Sequence, residues 1–278
     1  MGNAVSDYTL KIEHRTSYRY EHEVRNSKNE VRMTPTATPW QTIPSAELVV
    51  DPMPSHRVAY LDYFGTTVES FDVMAPHDHL DVVASAVVQL SRTPSERFPA
   101  PDVARAVEYL PPSPMIAWNT DVVSLAATLR RDSPADSVRA SIDWMRSAMT
   151  YEPGTTEVGT PVADVLAARG GVCQDYAHLC CAILRTLEIP SRYVSGYFAP
   201  RPLAMGESVE AESHAWVEAL LPGVGWLPID PTNDIEPAER HVKVGHGRDY
   251  TDVVPFQGVH AGEADQTLEV GVTITRLS

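Results

Sequence analysis

This 278-residue chain holds only three cysteines, Cys173, Cys180 and Cys181, and they fall within one short stretch. If that stretch is one helix, Cys173 and Cys180 lie about 10.5 Å apart along its axis. That exceeds the roughly 7 Å Cα limit for a disulfide. A disulfide framework is therefore not expected, and neither is a Cys/His cluster with zinc spacing. Basic residues are scarce: 22 Lys and Arg face 37 Asp and Glu, for a formal net charge of −15. Such a surface repels nucleic acid and anionic membranes, so neither is expected as a partner. No apolar run approaches the length of a membrane span, and no basic-then-apolar leader opens the sequence. Calcium-loop spacing of acids around a glycine is missing too. The expectation is a reduced, cytoplasmic protein without metal or cofactor; nothing in the sequence sets an oligomeric state.

What is present is a hydrophobic content of 43%, enough to fill more than one core. Residues 8–92 read as strands. Leu80, Val82, Ala84, Ala86, Val88 and Leu90 alternate with polar neighbours, and Tyr60–Val68 reads as a hairpin. Several short strands with turn signals suggest an all-β sandwich-like domain over 1–95. Prolines 94, 99, 101, 111, 112 and 114 mark a linker over 96–119, with a short helix near 102–110. Residues 120–278 then turn helical. One helix is expected to be capped by Thr120, a second to open at Asp136 or Ser137, and a third after Thr160-Pro161 to end at Gly170-Gly171. The overall class is α+β. Leu268, Val270, Val272 and Ile274 alternate as a last strand, assigned with the helical part.

Gly170-Gly171-Val172-Cys173 delivers a cysteine to the head of a helix in which Cys173, Ala177, Cys180, Leu184 and Leu187 share one stripe. Helix N-termini present unpaired N–H groups and partial positive charge, which stabilise a thiolate. Downstream, Glu212–Leu221 and Trp226–Asn233 read as strands separated by the turn Pro222-Gly223-Val224-Gly225. A loop centred on Pro222 sets His214 opposite Asp230, Trp216 opposite Pro228 and Glu218 opposite Trp226. Opposed Cβ atoms lie roughly 5 Å apart, within imidazole–carboxylate reach. A thiolate nucleophile, a histidine that shuttles its proton and an acid that fixes the histidine tautomer make an acyl-transfer apparatus. Should the hairpin slip, Asn233 or Asp234 takes the acid's place.

The runs Tyr151-Glu152-Pro153-Gly154-Thr155, Gly171–His178, Ile189–Tyr197, Ser213–Glu218 and Trp226–Asn233 resemble the core of bacterial transglutaminase-like cysteine enzymes. The likeness is close over residues 120–260, and the first hundred residues look like the β-rich region that often precedes this core. It implies a papain/transglutaminase-like core with a Cys173–His214–Asp230 triad. Its implied activities are peptide or amide hydrolysis, glutamine acyl transfer to amines, or a non-catalytic scaffold. Cysteine peptidase or amidase activity on a peptide or protein substrate is the leading expectation.

Secondary candidates surround the triad. The Cys173 N–H is an oxyanion donor by position. Gln174 adjoins the nucleophile, but papain-like enzymes carry their donor glutamine upstream, and none stands between Pro161 and Val172. Trp144 either reaches the site or packs in the core. Trp216 either walls the cleft or packs in the hairpin. His178, about one turn past Cys173, and Gly247-Arg248-Asp249-Tyr250, which resembles a motif of the same family, are weaker candidates.

Overall fold

A computed structural model describes residues 8–91, 102, 104–233 and 239–278. The first part of the proline-rich stretch expected as a linker, residues 96–101 and 103, and Asp234 lie outside the described residues. The chain opens with β1 (Tyr8–Val31), β2 (Gln41–Asp51), β3 (His56–Leu61), β4 (Thr67–Val73) and β5 (His77–Leu90). A 3₁₀ turn over Arg105–Tyr109 leads to α1 (Thr120–Leu129) and α2 (Pro134–Ala148). Then come β6 (Thr150–Tyr151), α3 (Val162–Ala168), β7 (Gly170–Gly171) and α4 (Cys173–Thr186). The remaining strands are β8 (Ser191–Phe198), β9 (Ser208–Leu221), β10 (Gly225–Ile229), β11 (His241–Gly247), β12 (Phe256–Ala261) and β13 (Gln266–Arg276).

Helix starts follow local chemistry, one residue or more ahead of the sequence expectation. Asn119, not Thr120, caps α1 by accepting from the N–H groups of Asp121 and Val122. Ser133 caps α2, with Pro134 in the first turn where a missing N–H does no harm. Helix α4 is buried on nearly every side from Asp175 to Arg185, not along one stripe. It runs between α1, α2, α3 and the strands β8 and β9, so a single wet face never forms.

The N-terminal strands do not stack as two separate sheets. Among the described residues, eleven strands join one curled antiparallel sheet, ordered β11-β8-β9-β13-β1-β4-β3 with β2, β5, β10 and β12 alongside. Strand β1 is its spine, with β5 on one edge and β13 on the other. The C-terminal strands β12 and β13 therefore pair with β1, although sequence reading assigns them to the catalytic core. Alternation gives a strand its period but not its partner. Val272 and Ile274 are buried, whereas Leu268 and Val270 on the same face are half exposed. A shared core of Leu10, Ile12, Val88, Tyr197, Val242, Val244 and Ile274 cements the N-terminal sheet to the helical part. Strand β9 crosses from one to the other: Ser208–Ala211 pair with β13 and Glu212–Ala219 pair with β8. The crossing places His214 at the junction. No helix among the described residues is long and apolar enough to cross a membrane.

Candidate active site

Cys173 owes its position to the glycines before it. Arg169 ends α3 in the left-handed region at φ 56°. Gly170 and Gly171 then pair in parallel with Thr150 and Tyr151. Gly171 has φ 152°, and a Cβ there would lie 2.6 Å from Asp175 Oδ2, so only glycine fits. That carboxylate oxygen accepts from the Val172 N–H at 2.8 Å and from Thr156 Oγ1 at 2.6 Å. Asp175 thus caps the helix from inside its first turn, and Cys173 becomes the first helical residue, half-buried. The free N–H groups and positive end of α4 converge on its thiol.

The β9–β10 hairpin carries the partners, in a register shifted from the sequence expectation. Trp226 opposes Leu220 and Pro228 opposes Glu218, so the turn centres on Gly223 instead of Pro222. His214 and Asp230 are therefore diagonal neighbours, not direct opposites. The shift moves each partner by two residues, which preserves the face. Diagonal side chains remain within reach of each other. His214 Nε2 meets Asp230 Oδ2 at 2.8 Å, leaving Nδ1 for the thiol. Gly196 pairs with His214 across β8, and a Cβ there would run into the Val242 carbonyl and the Trp216 ring.

Asp230 is fully buried and saturated with donors. Oδ1 accepts from the N–H of Thr232 at 2.9 Å and of Asn233 at 3.1 Å. Oδ2 accepts from His214, from Asn233 Nδ2 at 2.9 Å and from His241 Nε2 at 2.9 Å. Burial pushes the Asp230 carboxyl upward, but the hydrogen bonds from the two histidines, with the charge of His214, overwhelm it and hold the group far below the usual carboxylate range. For His214, burial opposes the imidazolium, yet hydrogen bonds to Asp230 and to the Cys173 thiol lift it to about 9. The imidazole therefore sits between thiol and carboxylate, in surroundings that favour its cationic form.

Residues 10–89 match the bacterial transglutaminase-like N-terminal region, and residues 123–231 match the transglutaminase-like superfamily. An uncharacterized protein of Mycobacterium leprae is 40% identical over 282 residues, spanning 98% of this chain and 100% of its own length. The chain belongs to the bacterial transglutaminase-like family. An uncharacterized protein of Mycobacterium tuberculosis is 31% identical over 291 residues, covering 96% of this chain and 92% of that one. A solved structure from Cytophaga hutchinsonii, provisionally named a cysteine protease, shares the fold with TM-score 0.77 at 23% identity, over 98% of this chain and 92% of that one. A protein-glutamine gamma-glutamyltransferase of Pseudomonas aeruginosa matches more locally, 33% identical over 93 residues, which is 32% of this chain and 14% of that protein.

In this transglutaminase-like site the secondary candidates separate. Trp216 stacks beside His214 with ring centroids 6.2 Å apart, but it is 2% exposed and so buttresses the histidine rather than walling an open cleft. Gln174 is half-buried and, among the described residues, makes no hydrogen bond to the His214–Asp230 pair. Trp144 lies on α2 with the Arg169 guanidinium 4.7 Å over its ring, packed against the α4 core and not joined to the triad. His178 accepts from the Tyr250 N–H at 3.2 Å, and burial holds it down to about 4, so it fastens a loop. Asp249 accepts from the N–H groups of Met115 and Thr251, which makes Gly247–Tyr250 a structural clamp. Cys180 and Cys181 are fully buried, and burial pushes both thiols up. Asn233 does reach Asp230, as a donor to the acid and not as its replacement.

Two residues near the triad escape sequence reasoning. Tyr151 pairs with Gly171; burial, then the charges of Cys173 and Glu212, push its phenol up to about 12. Its signal was its place in a family-like run. His241 had only its position at the head of a short strand. His214, Asp230 and His241 also present three donor atoms within 4.8 Å of one another, but their mutual hydrogen bonds engage those atoms. Farther along the hairpin, buried Glu218 pairs with Arg192 at 2.5 Å and Lys243 at 2.7 Å, tying β8, β9 and β11 together.

Proposed function

We propose that the chain is a thiol acyl-transfer enzyme that hydrolyses amide or peptide bonds through an acyl-enzyme on Cys173. The carrying observation is the His214 imidazole held by Asp230 at 2.8 Å while it partners the Cys173 thiol at the head of α4. In the proposed cycle the Cys173 thiolate adds to the substrate carbonyl carbon. The Cys173 N–H, at the positive helix end, donates to the developing oxyanion. The C–N bond then breaks as His214 Nδ1 gives its proton to the departing amine. Next, His214 takes a proton from water, the hydroxide adds to the thioester, and the C–S bond breaks to release acid and thiolate. Asp230 keeps its hydrogen bond to Nε2 throughout, so the tautomer never inverts.

A second reading replaces water with an amine. Its support is Glu212, an exposed carboxylate two residues before His214 whose charge reaches Tyr151 beside the thiol. A carboxylate at the mouth of the site attracts a lysine ammonium. The deciding experiment incubates glutamine-containing peptides with the enzyme, with and without a primary amine, and reads product masses. Peptide cleavage or glutamine deamidation in both arms supports hydrolysis. Amine incorporation supports transfer. Neither product, with Cys173→Ala indistinguishable from wild type, defeats the proposal.

A further inference from the structure

We infer that His241 is a positioning residue of the site, holding the Asp230 carboxylate in the orientation that His214 requires. The inference rests on the acyl-transfer reading of the Cys173–His214–Asp230 arrangement. Oδ1 of Asp230 is held by backbone N–H groups of its own turn, whereas Oδ2 is held by side chains. Among these, His241 comes from β11, on the far side of β8 and β9 from β10. Its 2.9 Å bond to Oδ2 fastens the acid to the opposite part of the sheet.

The surroundings fit an anchor and exclude a substrate-touching role. The His241 side chain is 2% exposed. Its ring lies 4.7 Å from Phe198, 5.2 Å from Trp216 and 5.8 Å from His214, centroid to centroid. No face is left for a ligand. An ionised carboxylate only accepts, so the His241 proton must be on Nε2. Nδ1 is then a bare lone pair, buried and without a hydrogen-bond partner among the described residues. A second proton would create a buried N–H with no acceptor, which is costly. The charged and titratable groups facing His241 are Asp230, His214 and Arg240; burial and the two cations keep it neutral against the pull of Asp230. Two histidines thus share one carboxylate oxygen, one cationic and facing the thiol, the other neutral and fixed. An apolar side chain would fill this space without an orphaned nitrogen, so packing alone gives no reason for an imidazole here.

The test compares His241→Gln with His241→Asn. Both remove the ring and keep an amide, but only glutamine is long enough to place an N–H where Nε2 stood. The readout is the rate of Cys173 alkylation by iodoacetamide from pH 4 to 9, with circular dichroism and melting as folding controls. Wild type should alkylate well below the pH at which a free thiol reacts. Glutamine should stay within about twofold of wild type, while asparagine loses about tenfold at pH 6 and reacts with a profile moved roughly one pH unit toward that of a free thiol. Folded variants that behave alike, whether both active or both impaired, would overturn the inference and leave the acyl-transfer reading intact. A wild-type protein without low-pH alkylation would remove that reading, and this one with it.

Discussion

Asp230→Asn looks isosteric, yet the structure makes it severe. The carboxylate accepts two backbone bonds on Oδ1 and three side-chain bonds on Oδ2. An amide must put its NH₂ against one set. The N–H groups of Thr232 and Asn233 cannot reverse, so the NH₂ faces His214, His241 and Asn233. Both histidines must then present bare Nε2 atoms. His214 shifts its proton to Nδ1 and can no longer accept one from Cys173. The imidazolium loses the Asp230 share of the support that lifts it from 6.5 to about 9, while the share from Cys173 remains. At about 1.4 kcal/mol per tenfold, a loss of roughly 3 kcal/mol is about 10²-fold in thiolate–imidazolium population. Alkylation of Cys173 at pH 6 should fall roughly 10–10³-fold. Stability should fall by about 3 kcal/mol as well, lowering Tm by roughly 6–12 °C for a domain of this size. Iodoacetamide kinetics and thermal unfolding followed by circular dichroism check both. Wild-type alkylation with an unchanged Tm would refute the reasoning.

Further outcomes follow from other parts of the molecule. The protein should be most stable near pH 6.5. The raised His214 gives stability that is full below 6.5 and lost as pH rises through about 9, whereas burial holds His14 and His178 down to about 4, so the unfolded chain takes up protons first and stability falls from 6.5 to 4. Melting curves at pH 5, 6.5 and 8 test this, and His214→Gln should flatten the 6.5–8 arm. Gly171→Ala drives a Cβ into Asp175 at positive φ and should lower both Tm and Cys173 alkylation; an unchanged variant would mean that Asp175 does not set the helix start. Glu218→Ala leaves Arg192 and Lys243 buried without their anion and should cost about 3–5 kcal/mol in urea unfolding. Burial and Arg192 hold Lys243 down to about 8 even with Glu218 present, so without that anion the lysine should lose its proton more readily, and part of the loss should recover as pH rises and it neutralises. At pH 6, iodoacetamide should label Cys173 and spare the fully buried Cys180 and Cys181; labelling at equal rates would remove the helix-start argument.

The placement of Cys173, His214 and Asp230 was legible because each carried local punctuation. Two glycines preceded Cys173, and a Pro-Gly turn joined the strands of His214 and Asp230. The exact register was not legible, since Pro222 and Gly223 are equally good turn centres in sequence. It mattered little, because a two-residue shift keeps side chains on one face. The α+β class was also readable from periodicity. Long-range pairing was not: nothing in Gln266–Arg276 says that its partner is β1, near the opposite end of the chain. Gln174 adjoins Cys173 in sequence, but neither it nor Trp144, which packs on the α4 core, bonds to the His214–Asp230 pair among the described residues. His241 was invisible because its role depends on strand β11 curling back to a buried acid, a contact with no sequence period.

The most direct test of the central claim is intact-mass analysis during turnover of an activated ester such as p-nitrophenyl acetate. The account predicts a burst of p-nitrophenol equal to the enzyme present and an acetyl adduct that peptide mapping places on Cys173. The adduct should be absent in Cys173→Ala and slow to form in His214→Gln. Steady hydrolysis with no burst and no adduct, or an adduct that persists in Cys173→Ala, would contradict the claim that Cys173 is the nucleophile.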